Sequence, residues 1–303
     1  MEKLTATACN IFLLLSLACG EPPLGVVLWH GMGDTGESSA ITHLSNIIRE
    51  EIPGIFVLDL VIGGSRFIDR LNTYFMPINT QLAQACEIVH SNKNLSQGFH
   101  LIGFSQGGLF VRALVQRCPP AKVGSVISIG GPQEGVFGLP SCPDTSSRVF
   151  CNVIRSILTR VAYVDIIQTR LAQAQYWHDP LREDIYHEKS RFLAEINQER
   201  QVNTVYKENM LKVQNLVLVR FMDDTTVVPG ESQWFGFYKR GQCVEKYNIT
   251  ENPKYKKDTL GLQTLDKSGR LHLVPLPGDH LQFSDSWFRH IIVRKFLAPA
   301  KSL

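Results

Sequence analysis

The pentapeptide Gly103-Phe104-Ser105-Gln106-Gly107 joins an apolar run, Phe99 to Ile102, to a helical pattern from Gly107 to Arg117. A serine flanked by glycines at a strand-to-helix turn has mechanical meaning. The sharp turn forces costly backbone geometry on the serine, and the glycines let strand and helix approach without Cβ clashes. The hydroxyl is then presented above the end of a sheet, at a helix N-terminus. Such a group can attack an acyl carbon, provided that a base removes its proton.

The partners of such a serine follow it in the order acid, then histidine, each after a strand. Met222-Asp223-Asp224 follow the apolar run Asn215 to Phe221, and Gly278-Asp279-His280 follow Leu271 to Leu276. His280 is the candidate base. His30 precedes the serine, His100 and His272 fall within strands, and His290 falls in the C-terminal helical stretch. Spacing alone does not separate Asp223 from Asp224.

An acyl-transfer site also needs donors for an oxyanion. The N–H after the nucleophile, that of Gln106, supplies one. The loop His30-Gly31-Met32-Gly33 follows the apolar run Val26 to Trp29 and resembles the His-Gly oxyanion loop of lipases. The Met32 N–H is the second candidate. The same segment, Gly31-Met32-Gly33-Asp34-Thr35-Gly36, also matches the G-x-G-x-x-G pattern of a dinucleotide site, with Asp59 where a ribose-binding acid belongs. A complete serine triad downstream makes the oxyanion use of these glycines the better reading. The chemistry needs neither metal nor cofactor.

The elements that must position these residues alternate. Strands are expected at Val26 to Trp29, Gly54 to Leu60, Phe99 to Ile102 and Val123 to Ile129, with helices at 38–50, 78–90 and 107–117. This alternation predicts an α/β fold with a mostly parallel sheet covered on both faces. The alternation lapses over about 132–215, where helical periods around Val153 to Ala174 and 190–213 predict a helical insertion. Strands return at Asn215 to Phe221 and Leu271 to Leu276. The aromatic stretch Trp234 to Tyr238 is consistent with an acyl-chain groove or with ordinary core packing.

Composition narrows the classes. Of 303 residues, 44% are hydrophobic and 19% charged, which suits a packed globular chain rather than a disordered one. The net charge of +3 is dispersed, with no run of five like charges, which argues against nucleic-acid binding. No apolar stretch reaches the roughly 18 residues of a membrane span. Lys3, the apolar run Ile11 to Leu17 and the small residues Ala18-Cys19-Gly20 read as a signal peptide over 1–20, leaving 21–303 as a catalytic domain. Five cysteines then remain, Cys86, Cys118, Cys142, Cys151 and Cys243, an odd number for an oxidising compartment. Cys142 and Cys151 would close a short local loop. The sequons at Asn94 and Asn248 suit a glycosylated secretory protein.

Beyond the pentapeptide, several stretches resemble the lysosomal palmitoyl-protein thioesterase family. These are Trp29 to Asp34, Gly103 to Gly108, Gly135 to Pro140, Tyr176 to Pro180, Ile196 to Arg200, Trp234 to Tyr238 and Gly278 to Gln282. The resemblance runs through nearly all of 21–303. It implies an α/β-hydrolase that removes long-chain acyl groups from S-acylated proteins, with long-chain acyl thioesters as substrates, in the lysosome. It implies Ser105 as nucleophile, His280 as base and Asp224 as acid. It also implies disulfides Cys86–Cys118 and Cys142–Cys151, with Cys243 unpaired. The chain departs from the family at Thr35-Gly36, where the family carries adjacent cysteines, and at Asp223, where it carries a sequon asparagine. An esterase or lipase acting on oxygen esters, and a non-catalytic lipid-binding protein on the same fold, are the alternatives.

Overall fold

A computed structural model describes residues 23–138, 158 and 160–298. The expected signal segment 1–20 and the Cys142–Cys151 pair lie outside them. Six parallel strands form one sheet: β1 (Gly25–Trp29), β2 (Val57–Asp59), β3 (Phe99–Phe104), β4 (Val123–Ile129), β5 (Asn215–Phe221) and β8 (Leu271–Leu276). Their order is β2-β1-β3-β4-β5-β8, and a separate antiparallel pair joins β6 (Phe237–Tyr238) to β7 (Lys246–Tyr247).

Strand geometry sends successive side chains to opposite faces, so a continuously apolar strand requires cover on both. In β1, Val27 and Trp29 enter a core shared with Leu82 and Ala85 of helix α3 (Ile78–Ser91) and with Leu109 and Phe110 of helix α4 (Gln106–Arg117). Val26 and Leu28 enter the opposite core with Ile41, Leu44 and Ile48 of helix α1 (Ser39–Glu51) and with Phe288, Ile292 and Phe296 of the C-terminal helical stretch Phe288–Leu297. Ser38 caps α1 by accepting from the Ile41 amide. Helix α2 (Arg66–Phe75) lies between β2 and α3.

Two expectations are corrected. The strand expected over Gly54 to Leu60 contracts to Val57–Asp59, because this edge strand pairs only with Val26 to Leu28 of β1 and Gly54 takes a left-handed φ of 80°. The insertion is helical, but its described residues form short helices, Asp165–Gln168, Ala172–Gln175, Glu183–Lys189, Leu193–Ile196 and Thr204–Met210. Buried glutamines interrupt longer runs by taking main-chain carbonyls. Gln168 Nε2 donates to the carbonyls of Ala162 and Ala174, and Gln175 Nε2 to that of Gln168. The apolar period records burial, which irregular backbone also satisfies once its polar groups are paired.

The insertion is tied to the sheet through Arg112 of α4, which is only 1% exposed. Its guanidinium donates to Gln133 Oε1 (2.6 Å), Gln116 Oε1 (3.0 Å), Asn197 Oδ1 (2.7 Å) and the Ile196 carbonyl (3.3 Å). Cys86 of α3 and Cys118 at the end of α4 form a disulfide, and Cys243 is a free, exposed thiol. The bridge staples together the helices that precede and follow β3 in the chain. Within Trp234 to Tyr238, Phe235 and Phe237 are fully buried, with Phe237 stacked on His178, so these two rings pack the core, while Trp234 and Tyr238 are half-buried.

Candidate active site

Ser105 sits at the turn from β3 into α4 with φ 54° and ψ −126°, a conformation that non-glycine residues rarely adopt. Holding it costs about 1–3 kcal/mol and requires surroundings that over-determine the turn. The neighbouring glycines show how. A Cβ on Gly103 would stand 2.1 Å from the Gly107 carbonyl oxygen, one on Gly107 2.3 Å from that of Trp29, and one on Gly108 2.4 Å from Ser128 Oγ. The Ser105 amide is held by the Ile129 carbonyl at 2.8 Å.

His280 follows β8 and Asp224 follows β5, neighbouring strands at one side of β4. Nε2 of His280 lies 2.9 Å from Ser105 Oγ, and Nδ1 lies 2.7 Å from Asp224 Oδ2. The Asp224 side chain is fully buried, and that of His280 is 13% exposed. Asp224 Oδ1 accepts from the amides of Thr226 and Val227, and Oδ2 also accepts from Gln233 Nε2 at 3.0 Å. With every lone-pair direction engaged, the carboxylate has one orientation toward the imidazole. Gln233 is a residue that motif spacing did not single out. It precedes Trp234 at the edge of a family-like stretch, and its Oε1 accepts from the Phe221 amide, which joins it to the end of β5.

The two adjacent aspartates are thus distinguished by contact. Asp223 is exposed and accepts from the Gly278 amide at 3.1 Å, which clasps the two site loops together. Asp279 makes a second clasp, accepting from the amides of Thr225 (2.8 Å) and His280 (2.7 Å). Burial raises the Asp279 pKa, but these donors outweigh it and hold the carboxyl below its ordinary value.

The loop after β1 lies against the nucleophile. A Cβ on Gly31 would approach Ser105 Cβ to 3.1 Å and the Phe104 carbonyl oxygen to 3.3 Å. The backbone at Gly31 therefore runs beside Ser105, and Gln106 supplies the first amide of α4. Gln106 itself is buried, its Nε2 donating to the Thr73 carbonyl and its Oε1 accepting from Tyr176 Oη at 3.1 Å. The other two glycines of the loop, Gly33 and Gly36, meet different neighbours. Gly33 has φ 77° and donates to Thr73 Oγ1, and a Cβ on Gly36 would stand 2.4 Å from the Leu60 carbonyl oxygen. Asp59 is engaged by Ser45 of α1.

The loop is anchored from below by Asp69 of α2. Oδ2 accepts from Thr35 Oγ1 (2.8 Å) and the Gly36 amide (3.0 Å), and Oδ1 accepts from the Ile62 amide (2.8 Å). Burial pushes the Asp69 pKa up, and His30 together with these donors more than reverses it, leaving the carboxyl below its ordinary range. Thr35-Gly36, the point of departure from the family pattern, is thus held by hydrogen bonds. Sequence periodicity did not reveal Asp69, because a buried acid inside a helix has no spacing signature. Asn94 and Asn248 are both exposed, and Asn248 Oδ1 accepts from the Thr250 hydroxyl at 2.7 Å.

The arrangement can deprotonate a serine and stabilise charge on a tetrahedral acyl adduct. A sequence profile described as palmitoyl protein thioesterase matches residues 25–280. Palmitoyl-protein thioesterase 1 of Caenorhabditis elegans is 40% identical over 272 residues, covering 89% of this chain and 91% of that protein. Palmitoyl-protein thioesterase 3 of Dictyostelium discoideum is 40% identical over 274 residues, covering 89% of each. Lysosomal thioesterase PPT2 of Rattus norvegicus is 35% identical over 258 residues, covering 84% of this chain and 80% of that protein. Among solved structures, a monoacylglycerol lipase of Paleococcus ferrophilus aligns with a TM-score of 0.41 and 16% identity, over 89% of this chain and 95% of that one.

Proposed function

The chain belongs to the palmitoyl protein thioesterase family and is a thioester hydrolase on an α/β-hydrolase fold, and from this premise we propose that it removes long-chain acyl groups, palmitoyl foremost, from cysteines of S-acylated proteins in the lysosome. The observation that carries the proposal is the unbroken chain Ser105 Oγ to His280 Nε2 (2.9 Å) and His280 Nδ1 to Asp224 Oδ2 (2.7 Å).

His280 takes the proton of Ser105 as Oγ attacks the thioester carbonyl, and Asp224 orients the ring and favours the resulting cation. The oxyanion of the tetrahedral adduct is held by the N–H groups of Met32 and Gln106, worth about 3–4 kcal/mol for each well-placed donor. Collapse expels the cysteine sulfur, protonated by His280, and leaves an acyl-serine. Water, deprotonated by the same histidine, releases the fatty acid and restores the serine. Affinity for a long chain would come from burial, at about 0.8 kcal/mol per CH₂.

The signal-like segment 1–20, the Cys86–Cys118 bridge and the similarity to the lysosomal thioesterase of rat support a route through the secretory pathway to the lysosome. Residues 21–303 would be the mature catalytic domain, and the exposed Asn94 and Asn248 its glycan acceptors. The test compares turnover of matched S-palmitoyl and O-palmitoyl substrates by the wild type and Ser105→Ala. Thioester preference lost with Ser105 is the expected result. Faster turnover of the oxygen ester, or activity retained in a folded Ser105→Ala protein, would overturn the reading.

A further inference from the structure

Helix α2 is built inside out. Its buried residues are Asp69 and Thr73, while Phe67 is 69% exposed, Phe75 46% and Ile68 40%. At 100° per residue, Phe67, Ile68 and Phe75 share the side opposite Asp69 and Thr73. An ordinary surface helix would roll to bury those rings. This one cannot, because its polar side carries the active-site loops. Asp69 accepts from Thr35, Gly36 and Ile62. Thr73 Oγ1 accepts from the Gly33 amide, and the Thr73 carbonyl accepts from Gln106 and Gln173. The outward apolar side is therefore fixed in place directly above the nucleophile's neighbours.

We propose that this face docks on a lipid bilayer carrying anionic headgroups. The charge beside it favours that occupant. Arg66 and Arg70 are exposed, one helical turn apart, and Arg70 borders the apolar side next to Phe67, where it would meet headgroups while Phe67 and Ile68 enter the interface, with Arg66 adding charge at the helix start. An exposed apolar side of this kind on a protein surface marks an interaction site. The inference rests on the reading of the substrate as a lipid-modified protein. An acyl chain attached to a protein resides in a bilayer, and docking through α2 would bring Ser105 to that surface.

The full chain carrying Ser105→Ala, which cannot turn over substrate, is tested for cosedimentation with phosphatidylcholine vesicles with and without phosphatidylserine. Binding to the anionic vesicles is expected, weakened about tenfold or more by Phe67→Ser/Ile68→Ser and about fivefold by loss of each arginine in Arg66→Gln/Arg70→Gln. On the Ser105 background, Phe67→Ser/Ile68→Ser should lower kcat/KM for a vesicle-anchored S-palmitoyl peptide while leaving a water-soluble short-chain thioester unaffected. Absence of vesicle binding, or binding by both double variants equal to that of the parent Ser105→Ala protein, would overturn docking. So would a dimer that dissociates on Phe67→Ser/Ile68→Ser, since the face would then belong to a second copy. Vesicle binding by the Ser105→Ala protein reads docking alone, and turnover of the soluble thioester reads the enzymatic proposal alone.

Discussion

The carboxylate of Asp69 and the imidazole of His30 lie buried together, with Oδ2 3.0 Å from Nε2, while His30 Nδ1 is 3.0 Å from the Gly31 carbonyl oxygen. The Asp69 contact lacks the alignment of a hydrogen bond. It couples helix α2 to the segment that passes beside Ser105. The loop that carries the proposed oxyanion donor Met32 is thus tied to α2.

Asp69→Asn should therefore reduce kcat about 10–100-fold with little change in KM, since a small misplacement of a catalytic donor is costly. It should also destabilise the fold by about 1–3 kcal/mol for each amide left without its acceptor. The pH sign follows from the lowered carboxyl. An unfolded aspartate titrates near ~3.9, so the contribution is complete above that value and is lost as pH falls through the lower folded value. Denaturant melts should show the gap between wild type and variant intact at pH 5 and closing below about pH 4. A gap unchanged to the lowest pH would reject an ionised Asp69.

The adjacent acids give a sharper contrast. Asp224→Asn should lower kcat by about four orders of magnitude, as expected when the charge that holds and supports the imidazole is removed. Asp223→Asn keeps an oxygen acceptor for the Gly278 amide and should cost little. Steady-state kinetics on both variants would decide, and the reverse ranking would reject the assignment of Asp224.

His100 predicts a pH dependence of stability. It is 5% exposed, and Nδ1 accepts from the Ser125 amide at 2.9 Å, so the folded state needs the ring neutral. Burial, assisted by Lys122, pushes its pKa down to about 4. An unfolded histidine titrates near ~6.5, so the unfolded chain binds more protons between these values, and stability falls as pH drops through that window. The loss is on the order of 3 kcal/mol. Guanidinium melts from pH 7 to 4 should show a shallower slope for His100→Gln than for wild type. Equal slopes would contradict the assignment.

Thiol chemistry tests the helix staple. Unreduced peptide maps should recover Cys86 linked to Cys118, and alkylation of the native protein should label Cys243, the exposed thiol. Removing the bridge by Cys86→Ser/Cys118→Ser should cost about 2–4 kcal/mol for a loop of this length. A Cys243 resistant to reagent in the native protein would contradict its exposure.

Much of this protein is decided locally. The apolar runs of β1, β3, β4 and β5 are legible because a strand covered on both faces must be apolar at nearly every position. The turn around Ser105 is legible because only glycine fits at 103, 107 and 108 when strand and helix meet so closely. Chain order after each strand also pointed to His280 and to the Asp223-Asp224 pair, because parallel strands end at one edge of the sheet and place their following loops together.

Tertiary structure decided the rest. Asp223 and Asp224 are the same residue type at successive positions, and only the contacts with Gln233, Thr226 and Val227 turn one inward while Gly278 holds the other at the surface. The insertion reads as two long helices because periodicity reports burial, and burial there is satisfied by short helices, with main-chain carbonyls taken by glutamines six or seven residues away. Asp69 left no mark on any pattern. An acid inside an amphipathic helix reads as its solvent side, and the inference reverses here because the donors that stabilise Asp69 come from residues 35, 36 and 62, which are brought to it only when the sheet is assembled.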